Sequence, residues 1–148
     1  MLRVQLICIG RLKEAFFSQA CDEYDKRLRR YCALERTELS ETGDIRRDGE
    51  AMLKKISQDA YVIAMCVEGE MRSSEELSAM LERCASGGRS RVCFLIGGSD
   101  GLSEEVKRRA DVRLSMSRMT FPHHLARVMV LEQIYRAFNI SEGGKYHK

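Results

Sequence analysis

The sequence predicts an α/β layered domain with a mostly parallel sheet, and three observations carry that expectation. Three short apolar runs, at residues 4–9, 62–67 and 92–96, show no alternation with polar residues. Strands of that kind have both faces buried, as in a parallel sheet covered by helices. Segments of helical period separate the runs. Glycine or charge bounds each one: Gly10 after the first, Glu68 and Gly69 after the second, Gly97 and Gly98 after the third.

Taken in order, the first run is followed by a helix over residues 14–31, where Phe17, Cys21, Tyr24, Leu28 and Tyr31 recur every three or four positions. Residues 33–40 form a more polar strand, which belongs at a sheet edge. A short helix at 48–57 precedes the second apolar strand. Ser73 and Glu76 then have capping-box spacing, and Leu77, Met80, Leu81 and Cys84 continue as a helical stripe. The third apolar strand leads to a helix beginning at Ser103. Glu104 and Glu105 suit the positive end of its dipole, and Lys107, Arg108 and Arg109 suit the other. A short strand at 112–115 and a final helix at 125–139 complete the order β-α-β-α-β-α-β-α-β-α. No linker, repeat or low-complexity segment interrupts it, so residues 1–148 read as a single domain.

Composition narrows the class. Hydrophobic residues make up 44% and charged residues 32% of the 148, the balance of a soluble globular protein. A net charge of +3 permits an RNA partner without demanding one. None of the six cysteines (Cys8, Cys21, Cys32, Cys66, Cys84 and Cys93) is paired as CxxC. Cys8, Cys66 and Cys93 lie in apolar runs, where a thiol acts as a small hydrophobe, so a disulfide framework or zinc site is a poor reading. Reduced thiols fit the cytoplasm. The N-terminal apolar run is too short for a signal sequence, and no stretch approaches a membrane span.

The last helix stands apart. Val128, Leu131, Tyr135 and Phe138 mark one apolar face, while Met129, Val130 and Ile134 spread around the cylinder, and Glu132 and Arg136 form an i, i+4 pair. Either a partner subunit or a deeply buried place within the chain would cover so much apolar surface.

Three segments are candidates for chemistry. The first, FLIGGSDGLS at 94–103, runs from a buried strand through glycines to a helix start. Ligands of open α/β sheets bind at such strand ends, although a tight turn alone would also use Gly97, Gly98 and Gly101. It lacks the G-x-G-x-x-G pattern and a Walker lysine. The second, LSMSRMTFPHH at 114–124, holds the only proline, Pro122, with His123 and His124. Pro122 stiffens the loop, whose main chain could bind an adenine edge while Met116, Met119 and Phe121 pack its face or simply fill the core. The histidine pair lacks a third metal ligand. The third is the tail, with Lys145, Tyr146, His147 and Lys148 beyond Gly143 and Gly144. From the residues alone, a noncatalytic RNA-binding dimer and a phosphate-gripping nucleotide enzyme stay open as alternatives.

The runs FLIGGSDGLSEEVKRRAD, LSMSRMTFPHHLARVMVLEQIYRAFNI and GKYHK together resemble the pseudouridine methyltransferase H family of ribosomal large-subunit RNA enzymes, of the SPOUT class. The resemblance covers the whole chain and is most specific from Phe94 to Lys148. It implies a SPOUT-type three-layer fold with a C-terminal trefoil knot, and a homodimer to which the last helix contributes. It also implies S-adenosylmethionine bound by Met65, Gly97, Met116, Ser117, Arg118, Met119, Thr120 and Phe121. The implied reaction is methyl transfer to N3 of a pseudouridine in 23S ribosomal RNA, on the assembled ribosome. His123, Arg127, Tyr146 and His147 are the expected catalytic residues, and no metal is expected. Ser99 and Asp100 stand where relatives usually have proline and glutamate, and His124 replaces a common proline.

Overall fold

A computed structural model describes residues 1–148, in which ten elements alternate as expected. They are β1 (Leu2–Ile9), α1 (Ala15–Leu28), β2 (Cys32–Leu39), α2 (Ile45–Lys55), β3 (Tyr61–Met71), α3 (Ser74–Ser86), β4 (Arg91–Ile96), α4 (Glu104–Arg109), β5 (Val112–Ser115) and α5 (His123–Ser141). The strands form one sheet in the order β2-β1-β4-β3-β5, and every neighbouring pair is parallel. The polar strand β2 lies at an edge, as its composition requires.

Alternation along each strand sorts the core into two layers. On one face, Val4, Leu6, Cys8, Phe94 and Ile96 pack with α1, α3 and α5 through Cys21, Leu28, Leu77, Leu81, Leu131 and Ile134. On the other, Ile7, Ile9, Val62, Ala64, Cys93 and Leu95 meet Met52 of α2 and Val106 of α4. All six cysteines are buried and free. Burial pushes the thiols of Cys8, Cys32 and Cys93 up to about 12, so they serve as packing. No helix is long and apolar enough to cross a membrane.

Caps explain where the helix boundaries depart from the periodicity. The Asp44 carboxylate accepts from the amides of Arg46 and Arg47 at 3.0 and 3.2 Å, so α2 starts at Ile45 rather than at residue 48. Ser73 and Glu76 close both halves of the capping box, at 3.0 and 2.8 Å. Ser103 caps α4 through the Val106 amide. β3 runs beyond the apolar residues to Met71, with a shift in its pairing to β5 between Met65 and Glu70.

The last helix is longer than its apolar pattern and turned relative to it. Its buried face is Arg127, Val130, Leu131, Ile134 and Ala137. Val128, Tyr135 and Phe138 are half-buried beside it. Tyr31, just past α1, stacks on Phe138 with the ring planes 4° apart, and Tyr24 of α1 meets Tyr135 at 6.3 Å. The sheet, α1 and α3 thus cover much of the apolar surface for which a partner subunit or a buried place within the chain were the alternatives.

Candidate active site

A cavity of about 700 Å³ opens at the carboxyl ends of β4 and β5, beside residues 65–68 of β3. Its wall is built from residues 65–68, 96–102, 114–117 and 119–123, with Lys107 and Ala126. Parallel strands with short connections bring these segments together.

The glycine loop after β4 folds back on itself. Gly98 and Gly101 form an antiparallel bridge, and the Gly101 amide donates to the Gly98 carbonyl at 3.1 Å. A Cβ on Gly97 would lie 2.4 Å from the Gly101 backbone, so no side chain fits there. Gly101 has φ of +79°.

The loop after β5 is also fixed by its own hydrogen bonds. Ser115 Oγ donates to the Ser117 carbonyl at 2.9 Å, and Ser117 Oγ accepts from the Met119 amide at 3.0 Å. Such hydroxyl-to-backbone bonds set loop conformation without secondary structure. Met119 is 74% exposed, which leaves its thioether free to cover a ligand rather than fill core. Met65, Gly97, Met116, Ser117, Met119, Thr120 and Phe121 all line the cavity; Arg118 does not.

Two charged arrangements frame the cavity. Glu68 in the wall pairs with Lys107 Nζ at 2.6 Å, which holds its carboxyl below the usual carboxylate range. His123, at the start of α5, also lines the cavity. Burial holds the His123 imidazole below its ordinary value, with His124 and Arg127 acting the same way and Glu41 and Glu14 opposing. A neutral imidazole with a free acceptor nitrogen is therefore available near neutral pH.

Arg127 is not on the cavity wall. It is 1% exposed, its Nη1 donates to Glu38 Oε2 at 2.6 Å, and its Nη2 donates to the Gly10 carbonyl at 3.0 Å. The guanidinium is enclosed in this chain, and its hydrogen bonds join the end of β1, the edge strand and α5. The tail lies apart from the cavity as well. Tyr146 Oη donates to Glu132 at 2.9 Å, its amide donates to Asn139 at 3.2 Å, and His147 pairs with Glu75 at 2.7 Å and with Arg136. The tail therefore folds back over α5 and the start of α3 rather than fraying. A second cavity of about 470 Å³, lined by Ser74, Met129, Glu132 and Gln133, adjoins the first through Met65, Leu114, Ser115 and Met116.

Glu38, Glu41, Glu68 and Lys107 were not among the site residues expected from the sequence. Glu68 follows an apolar strand run directly, the position where ligands of parallel sheets are expected, and that signal could have found it. The partners of Glu38 and Glu41 lie 89 and 58 residues away, beyond the reach of any local pattern. No group of three or more His, Cys, Asp or Glu side chains is placed to hold a metal ion.

A family profile described as "Predicted SPOUT methyltransferase" matches residues 2–147. A protein of Bacillus pumilus named ribosomal RNA large subunit methyltransferase H is 44% identical, with 99% of this chain and 100% of that protein covered. A protein of the same name from Clostridium botulinum is 46% identical over the same shares. Among solved structures, a probable methylase family protein from Haemophilus influenzae superposes with a TM-score of 0.60 at 14% identity, covering 100% of this chain and 72% of that one. The SpoU methyltransferase AviRb from Streptomyces viridochromogenes, solved with AdoMet, gives 0.54 at 11% identity, covering 97% of this chain and 59% of that one. These two share the fold, while the profile and the full-length relatives carry the kinship: the chain belongs to the SPOUT methyltransferase family.

Proposed function

We propose that this chain methylates N3 of a pseudouridine in large-subunit ribosomal RNA, with S-adenosylmethionine as the methyl donor. The observation that carries the reading is the cavity at the strand ends, where the glycine loop and residues 114–123 meet with His123 in the wall. The names of the full-length relatives support ribosomal RNA as the substrate class.

The residues present fit the donor. Gly97 lets the loop close tightly against Gly101 in the cavity wall, and 700 Å³ accommodates a nucleoside-sized ligand. Met65, Gly97, Met116, Ser117, Met119, Thr120 and Phe121 would hold it, with main-chain groups for the polar edge and the thioethers and ring for the apolar faces. Arg118, just off the wall, would reach it only by turning inward. When bound, the donor supplies an electrophilic methyl group on sulfur. The chain's part is to exclude water, align the base and take a proton. His123 accepts the proton from N3, which frees the N3 lone pair for attack.

Tyr146 and His147 complete this reading from a second copy of the chain. The tail of one protomer would approach the cavity of its partner, with Tyr146 stacking on the base and α5 in the interface. The threading of the C-terminal segment into a trefoil knot, a cytoplasmic location and the assembled ribosome as substrate belong to the same proposal. The test is transfer of labelled methyl from S-adenosylmethionine to ribosomes that lack the modification. Incorporation at one pseudouridine is the expected result. Bound donor with no incorporation into ribosomes or free RNA would overturn the substrate and favour a noncatalytic role.

A further inference from the structure

We propose that Glu41 is a positioning residue that latches the glycine loop 97–101 to the β2–α2 connection and so holds the cofactor wall of the cavity in its binding shape. The inference rests on the donor-binding reading above. It concerns a residue that does not itself line the cavity.

One carboxylate oxygen, Glu41 Oε2, accepts from both the amide and the hydroxyl of Ser99, at 3.1 and 2.5 Å. The carboxylate also lies directly against the loop backbone: a Cβ on Gly98 would be 2.7 Å from Glu41 Cδ. The Ser99 hydroxyl is the main reason the Glu41 carboxyl sits below its usual range, so the acceptor is charged at neutral pH. Charge-assisted bonds of this kind are the stronger ones.

A latch needs a fixed anchor, and the neighbouring residue provides one. The Thr42 amide and hydroxyl donate to Asp48, a carboxylate only 7% exposed, at 3.1 and 2.6 Å. Asp48 is on α2, whose Gly49 packs so closely on Ser103 that no Cβ fits between them. The glycine loop is thus bracketed, by Glu41 at Ser99 and by α2 at Ser103. The second oxygen, Glu41 Oε1, lies toward Gly10. It and His123 Nε2 each lie 3.7 Å from the point where a Cβ on Gly10 would sit, with His124 Nε2 at 4.0 Å. The same carboxylate therefore bonds to the cofactor loop and lies near the imidazole pair without bonding to it.

Glu41 is exposed, so substitutions there leave folding intact, and thermal unfolding checks this. In Glu41→Ala, hydrogen exchange at residues 97–101 should quicken about tenfold. The Kd and KM for S-adenosylmethionine should rise about three- to tenfold, with kcat within about twofold. Glu41→Gln keeps an acceptor oxygen for Ser99 and should recover most of the affinity. Ser99→Ala should fall between, and the double variant Glu41→Ala with Ser99→Ala should be no worse than Glu41→Ala alone. Unchanged exchange in a folded Glu41→Ala overturns the latch. So does a fall in kcat at constant KM, which would assign Glu41 to His123 instead. If the wild-type protein binds no donor, the proposed function fails, yet the exchange rates still decide whether Glu41 holds the loop.

Discussion

Replacing Gly97 with alanine adds one methyl group at the place where the cavity wall has no room for it. The new Cβ would sit 2.4, 2.5 and 2.9 Å from the carbonyl carbon, oxygen and Cα of Gly101, where ordinary contact begins at 3.4 Å. Relief needs a displacement of about 1 Å, and both sides of the clash are main chain, so no rotamer change can absorb it. The Gly98–Gly101 bridge must open, or the loop must slide into the cavity. Overpacking of this kind costs about 1–3 kcal/mol. If the loop recovers its shape only when ligand binds, that cost appears as a fall in affinity of about fivefold to 150-fold. Isothermal titration with S-adenosylmethionine reads it directly. Gly88→Ala is the control: it lies in the α3–β4 turn at φ +83° with nothing within 4 Å, so it strains the backbone without touching the cavity. It should lower the Tm and leave affinity alone. A folded Gly97→Ala variant that binds the donor within twofold of wild type would refute the close-approach reasoning.

Arg127→Ala should cost about 3 kcal/mol in denaturant unfolding, the low end for a broken buried ion pair, because Glu38 keeps 33% of its side chain in water; a loss under about 1 kcal/mol would mean that the pair adds nothing to the fold. Deleting residues 145–148 removes the hydrogen bonds of Tyr146 and His147 to α5 and α3 without touching the core. The truncated chain should keep its circular dichroism and lose most methyl transfer, and full activity would dismiss the tail. The His123 pKa is lowered by folding, so the unfolded chain binds the proton more readily. Its contribution makes stability fall as pH drops through about 6.5, the ordinary imidazole value, and His123→Gln should flatten that slope. The acid limb of the pH–rate profile should correspondingly lie below about 6.5, and a limb above it would remove His123 as the proton acceptor.

The elements were legible because their signals are local. Unbroken apolar runs gave both-face-buried strands, and the Ser73–Glu76 spacing marked a helix start that the structure closes with both capping bonds. The orientation of α5 was harder to read. Its buried face includes Arg127, an arginine that no hydrophobicity pattern assigns to a core, so the apparent stripe through Val128 and Tyr135 drew the face to one side. The cavity wall was legible for the same reason that its chemistry is limited. Main-chain geometry at Gly97 and after β5 follows from glycine, serine and proline placement, which a sequence displays openly. The charged partners did not follow, since Glu41 meets Ser99 and Glu38 meets Arg127 only through the sheet order.

That difference bears on how so small a chain divides its cations. A guanidinium 1% exposed, with Nε left unpartnered, is costly to bury, and it persists where its remaining bonds fix something. Here they tie the last carbonyl before the β1–α1 loop and the edge strand to the first turns of α5. Those segments carry or adjoin Gly10, Glu41 and His123, with Glu41 Oε1 and His123 Nε2 each 3.7 Å from where a Cβ on Gly10 would sit. The nearest basic side chain in the wall, Lys107, is likewise engaged, by Glu68 at 2.6 Å and Glu104 at 3.7 Å. Lys107 in the wall and the enclosed Arg127 are thus committed to holding structure, while Arg118, between the wall residues Ser117 and Met119, is exposed at the rim. Attraction for a polyanionic substrate therefore falls to exposed basic residues such as Arg118 at the rim and those farther out, which predicts that charge reversal there changes the salt dependence of RNA binding, while Arg127 substitutions change the fold instead.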